Sequence, residues 1–229
     1  MIFVACAGFP VATSRYFREF MAVEINQTEL GIPGGGTVRR WQRECPEGFG
    51  FSVLAPGTLS KAGFSVDKTN TETVKTIAQL ARTLAAVAVV YRAGDEFAAS
   101  KPNRTKLRRF ALALPRLMGT RGPRPVLDLQ AWSVQDVLAT IKDAPVSVAV
   151  DPLTDQLDHS GTPAGRLSNT VLYLRLPGPS GYRSRYTDDH VDRAMAYARA
   201  SKAKKVFVVF RNIDMYVNAQ RGMSALSSG

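Results

Sequence analysis

Eight short apolar runs, rich in β-branched residues and spaced roughly 20 to 35 residues apart, constrain this chain more than any other feature. They cover residues 2–6, 21–26, 49–54, 86–91, 125–130, 146–150, 171–176 and 205–210. Most are apolar almost without interruption, the pattern of strands buried on both faces of a parallel sheet. Parallel neighbours need crossovers, and helical patterns fill most of the intervals. Thr37 reads as the cap of a helix running to Glu44. After Asn70, residues 71–84 place Val74, Ile77, Ala78, Ala81 and Leu84 on one stripe, and residues 104–113 do the same with Leu107, Phe110 and Ala111. Ser133 and Asp136 form a capping arrangement over Val134, Val137, Leu138 and Ile141. Residues 188–202 begin acidic and end basic, matching the helix dipole.

Strands alternating with helices predict an α/β protein, a (β/α)8 barrel. The alternation fails between strands six and seven, where residues 152–169 are rich in Gly, Pro, Thr and Asp and show no helix. That helix is expected to be missing or irregular. An open eight-stranded sheet is the alternative; the even spacing favours closure. No linker or fixed-period repeat divides the chain, so residues 1–229 are expected to form a single domain. At 229 residues such a globule buries roughly 70% of its unfolded surface and needs no staples.

Composition narrows the chemistry. Two cysteines, Cys6 and Cys45, exclude a disulfide framework and read as small buried hydrophobes, and two histidines exclude a site of three imidazoles. The first apolar run has no positive charge ahead of it, so it reads as a buried strand rather than a secretion signal. The longest other run, residues 84–91, is far short of the roughly 20 residues that cross a bilayer. A cytoplasmic protein without a membrane partner is expected. There is no nucleophile elbow, no Cys-x-x-Cys pair, no His-Glu-x-x-His helix and no phosphate loop. Gly34, Gly35 and Gly36 make a turn ahead of a helix, His159 a loop residue, and His190 a capping residue in a first helical turn.

The informative residues are polar ones in apolar strands. Glu24 and Asn26 share one face of strand two, and Asp128 and Gln130 one face of strand five. Asp151 follows strand six, Arg175 ends strand seven, Arg92 ends strand four, and Arg211 and Asn212 end strand eight. In a parallel barrel these ends lie at the rim where barrel enzymes keep their active sites. An unpaired buried carboxylate costs several kcal/mol, and Arg175, with its planar fork, is the expected partner of Glu24 or Asp128. The expectation is a rim site with Glu24, Asp128 and Arg175 catalytic. Asn26, Gln130, Asp151, Tyr182, Tyr186, Arg211 and Asn212 would bind the ligand. The carboxylates Glu24, Asp128 and Asp151 would suit Mg2+ or Mn2+, and with Arg175, Arg183 and Arg211 nearby the set suits a phosphorylated small molecule. Metal-assisted phosphoester hydrolysis is the sharpest reaction this predicts. The bland alternative is an internal ion-pair network that only pins the barrel.

The chain is also strongly basic, with a formal charge of +11. Residues 97–127 hold eight Lys and Arg and no Asp or Glu. Lys101, Arg104, Lys106, Arg108 and Arg109 in that stretch are the expected contacts to nucleic acid or another polyanion. A non-catalytic polyanion-binding module is therefore the second reading, and a degenerate barrel serving as a partner scaffold the third.

Several segments, taken in order, resemble the YecE-like family, the domain of unknown function numbered 72. They are Val23-Glu24-Ile25-Asn26; Thr37, Trp41 and Pro46-Glu47-Gly48-Phe49; residues 51–56 and 112–115; Val126 to Gln130; Asp151-Pro152; residues 171–178; Tyr182 and Tyr186; and residues 206–212. The resemblance spans essentially the whole chain and implies a TIM barrel of unassigned activity. Where that family tends to carry Lys, Arg and His, this chain has Leu54, Gln130 and Pro177.

Overall fold

In a computed structural model of the protein, residues 1–119, 122–142, 144–154 and 170–227 are described. Eight strands, β1 (Ile2–Ala7), β2 (Ala22–Ile25), β3 (Gly50–Leu54), β4 (Ala88–Ala93), β5 (Arg124–Leu129), β6 (Ser147–Val150), β7 (Val171–Leu176) and β8 (Lys205–Phe210), close in sequence order into a barrel, with β8 returning to β1. The pairs are parallel, as in Arg92 opposite Asp128 between β4 and β5. The expected (β/α)8 barrel is the fold. The helix expected to be missing between β6 and β7 would fall largely in residues 155–169, which lie outside the described residues, as does His159.

The helices are α1 (Thr13–Glu19), α2 (Gly35–Glu44), α3 (Thr58–Lys61), α4 (Lys68–Thr83), α5 (Lys101–Met118), α6 (Val134–Thr140), α7 (Asp188–Ala200) and α8 (Met215–Ser227). Ser133 caps α6 as expected, its side chain accepting from the Asp136 N–H. Three helix starts differ from expectation. Asp67 rather than Asn70 caps α4, Ser100 caps α5, and α2 starts at Gly35, which leaves Thr37 inside its first turn. At α7, Thr187 and His190 form a reciprocal capping box. Helices α1 and α8 lie beyond the periodic patterns. Among the described residues no helix is long and apolar enough to cross a membrane.

The chain divides into two compact units. The first holds residues 1–24, 43–50 and 149–229. Its core packs β1, β7 and β8 with α1, α7 and α8. Gly222 lets α8 close on its neighbours: a Cβ there would stand 3.2 Å from Met195 Sδ and 3.3 Å from Val4 Cγ1. Cys6 is a thiol buried in this core, and Cys45 is a half-buried thiol. The second unit holds residues 25–42 and 51–148. Here Phe64, Phe97, Phe110 and Tyr91 pack ring against ring, with centroids 4.9 to 5.3 Å apart. Phe64 keeps its place with a positive φ of 53°, a conformation that bulky residues adopt only where packing imposes it.

Candidate functional site

Glu24 comes from β2 and is fully buried; its partners come from β7, with β1 and β8 between them in the strand order. Arg175 donates from Nε to Oε2 at 3.1 Å and from Nη2 to Oε1 at 3.0 Å, and the Tyr173 hydroxyl donates to Oε2 at 2.8 Å. Burial by itself would push the Glu24 carboxyl up. The charge of Arg175, the hydrogen bonds from Arg175 and Tyr173, and the charge of Arg211 outweigh it, so the group sits below the ordinary carboxylate range. Arg175 is only 3% exposed. A charge pair that is this buried and this well bonded does the work of an internal brace: it satisfies charges that the strands would otherwise bury alone. The bland alternative fits this pair. Arg175 pairs with Glu24, and Asp128 takes a different arginine.

Elsewhere in the first unit, Asp151 accepts from the Leu153 N–H at 3.0 Å, and burial lifts its carboxyl above the ordinary range. The hydroxyl of Tyr186 accepts from the Gly178 N–H at 2.7 Å, while its ring stands edge-on to His190 and Phe210. Burial, and then the charge of Asp151, push that phenol up. Gly178 has a φ of 103°, and a Cβ on it would stand 2.2 Å from the Gly181 carbonyl oxygen, so only glycine makes this turn. Asn212 is fully buried and ties the chain together, donating to the Ser184 carbonyl at 3.1 Å and accepting from Asn218 at 2.9 Å. Those bonds fit a structural role better than ligand contact. Tyr182 is half exposed, and Arg211 lies close enough to act on the Glu24 charge.

The second unit holds a different kind of cluster. Arg92 ends β4 and donates from Nη1 to Glu29 Oε1 at 3.3 Å and from Nη2 to Gln130 Oε1 at 3.0 Å. Its Nε is buried without a hydrogen bond and stands 3.7 Å from Asp128 Oδ2. Arg92, Asp128 and Glu29 keep 17%, 16% and 37% of their side-chain surface, so solvent and solutes reach this set, unlike Glu24. Asn26, in this unit, opens the 3-10 turn Gln27–Glu29 that delivers Glu29. Glu29 is absent from the sequence expectations because it sits past the strand in no pattern. Arg92 carries a signal, a lone charge interrupting an apolar strand, but nothing in the spacing names its partners.

One expectation is corrected here. Among the described residues no three His, Cys, Asp or Glu side chains stand together as a metal site, so Glu24, Asp128 and Asp151 do not share an ion. The physical reason lies in Glu24, whose two oxygens are already bound by Arg175 and Tyr173. Of the five expected polyanion contacts, Arg104 is committed to packing: it donates to Asp136 at 2.8 Å and lies 5.3 Å over the Trp132 ring. Lys101, Lys106, Arg108 and Arg109 are exposed along α5.

A family model described as "Protein of unknown function DUF72" matches residues 12–227. No curated protein matches the chain. Among solved structures, a DUF72 family protein from Enterococcus faecalis V583 superposes with a TM-score of 0.75 at 18% identity, covering 99% of this chain and 98% of that one. A DUF72 family protein from Thermotoga maritima MSB8 gives 0.73 at 16% identity, with 99% of each chain covered. D-Psicose 3-epimerase with D-tagatose, from Clostridium cellulolyticum H10, gives 0.65 at 13% identity over 95% of this chain and 92% of that one. At such identities the likeness is one of fold.

Proposed function

The chain belongs to the DUF72 family of proteins of unknown function, and from that premise we propose that it binds and acts on a polyhydroxylated small molecule of the carbohydrate class where β4 and β5 end. The observation that carries this is the Arg92 set. One guanidinium holds Glu29 and Gln130 and faces Asp128, all partly open to solvent. The carboxylates offer several acceptor lone pairs, and the guanidinium offers donors. Vicinal hydroxyls donate and accept at once, so they match such a mixed set. The 3.7 Å gap from Arg92 Nε to Asp128 is the kind of loose contact that tightens when a ligand is seated. The solved epimerase neighbour, whose own ligand is a ketose, agrees with this ligand class.

The metal-assisted phosphoester hydrolysis expected from the sequence asks for carboxylates gathered on one ion. The described residues do not gather them, and the reaction proposed here is not routed through a metal. Asp128 and Glu29 are the groups placed to move protons on a bound polyol. A polyanion-binding role is the second reading, favoured by the exposed Lys101, Lys106, Arg108 and Arg109 on α5.

The test is a ligand-observed NMR screen of neutral pentoses, hexoses and alditols against the purified chain. At least one polyol is expected to show saturable binding that Arg92→Gln abolishes. A screen without a single saturable polyol at about 10 mM, well beyond the millimolar affinities worth roughly 4 kcal/mol, overturns the reading.

A further inference from the structure

We propose that a cleft of about 440 Å³ lined by Ser60, Lys61, Gly63, Glu96, Asn103 and Lys106 is an anion site that takes the phosphate group of a phosphorylated ligand. The cleft is built from α3, the 3-10 turn Asp95–Phe97 and the start of α5, all within the second unit. Its size falls in the range of small-molecule sites. Lys61 and Lys106 are exposed, and neither forms an ion pair among the described residues. The one acid in the lining, Glu96, is already engaged. Its carboxylate accepts from the Gly94 N–H at 3.0 Å, and bonds from its own backbone and from Ser60 help hold it ionised. Two lysines against one engaged carboxylate leave a net positive charge facing the cleft.

The local backbone keeps that charge accessible. After α3 the chain reverses through two consecutive left-handed residues, Gly63 at φ 62° and Phe64 at φ 53°. Phe64 is pinned between Phe97 and Phe110, which imposes the conformation. The result lays Gly63 against Lys106: a Cβ on Gly63 would stand 3.4 Å from Lys106 Nζ. The left-handed backbone favours glycine at that position, and a residue without a side chain leaves the space beside the ammonium unfilled. An ammonium on a flexible stem is a point-charge partner for phosphate.

The cleft also adjoins the Arg92 set. A Cβ on Gly94 would stand 2.8 Å from Glu96 Oε2 and 3.9 Å from Gln130 Oε1. One residue therefore separates the anion cleft from the polyol-facing groups. If the polyol reading holds, the ligand that spans both is a sugar phosphate. The anion site itself does not rest on that reading, because inorganic phosphate alone probes it.

The experiment is a titration of the full chain with inorganic phosphate, followed by calorimetry or phosphorus NMR, at fixed ionic strength. It compares the wild type with Lys61→Gln/Lys106→Gln, with Lys106→Gln alone, and with Arg116→Gln as a control that removes one exposed charge elsewhere on α5. Saturable binding at about a millimolar is expected, at least tenfold weaker in the double variant, weakened in Lys106→Gln and unchanged in Arg116→Gln. Absent binding, or equal weakening by Arg116→Gln, overturns the proposal, the latter because it shows general attraction to a basic surface. Thermal midpoints check that the variants fold. A neutral polyol that binds while phosphate does not would sink the anion site and leave the polyol reading standing; the reverse outcome separates them the other way.

Discussion

Arg175 holds both carboxylate oxygens of Glu24, at 3.1 and 3.0 Å, across 151 residues of chain. The pair is sealed inside the first unit, so its removal is expected to be felt in stability before it is felt in any ligand. Glu24→Gln and Arg175→Met each leave one charge buried and uncompensated, which costs about 3–5 kcal/mol. In a chain of this size that lowers the thermal midpoint by about 2–4 °C per kcal/mol. Denaturant unfolding checks it, and a loss below about 1 kcal/mol in both variants would contradict the bracing role.

The same pair sets an acid limit. Because the folded Glu24 carboxyl lies below its ordinary value, its contribution is present above the unfolded value of about 4.3 and is lost as pH falls through the folded value. Between pH 5 and 2 the wild type is expected to lose more stability than Glu24→Gln, so that the gap between them narrows. Urea titrations at several acid pH values measure this directly.

Asp151 shows the opposite sign. Burial raises its carboxyl, so the ionised form is disfavoured in the folded state and the penalty grows as pH rises through the folded value. Asp151→Asn keeps an oxygen for the Leu153 N–H and removes the charge. At pH 7 it is expected to raise the thermal midpoint by up to about 2–4 °C, the equivalent of roughly 1 kcal/mol. The gain is expected to vanish below about pH 4, where the unfolded carboxyl is protonated as well. A scan of midpoint against pH for both proteins decides it.

The two thiols are expected to differ sharply in reactivity. Burial pushes Cys6 up to about 12, and its sulfur rests against the Met215 carbonyl at 3.4 Å. Cys45 is raised less and is only half-buried. Iodoacetamide at pH 8 is expected to label Cys45 in the native protein and Cys6 only after unfolding. Mass spectrometry of the labelled peptides reads the order, and early labelling of Cys6 would contradict the packing of β1.

The barrel was legible in the sequence because β-branched apolar runs such as residues 171–176 and 205–210 have few other uses than doubly buried parallel strands. Helices α1 and α8 were not. Helix α1 is two turns long, and α8 carries Gly222 at the point where it packs, which mutes a helical signal that depends on bulky residues. The polar strand residues Glu24, Asp128 and Arg175 stood out for the same reason the strands did. Arg175 was also legible as the partner of one of these carboxylates; which carboxylate it takes, and the role of Arg92, depend on which side chains cross the interior. Glu24 met Arg175 from β7, while Asp128 met Arg92 from its neighbouring strand. Glu29, Lys61 and Asn103 come from a 3-10 turn and from helix ends, where spacing holds no information about what the fold brings together.

The open Arg92 set is the proposed place where ligand is held. Asp128 is partly exposed, and its 3.7 Å contact with Arg92 is too long to contribute much stability. The most direct measurement is therefore the dissociation constant of a bound polyol for the wild type and Asp128→Asn, read beside their thermal midpoints. A hydrogen bond to a charged group is worth about 1.5–3 kcal/mol, so binding is expected to weaken roughly ten- to hundredfold while the midpoints stay within a few degrees. Equal affinities in the two proteins, or a loss that merely follows a collapse of the fold, would contradict it.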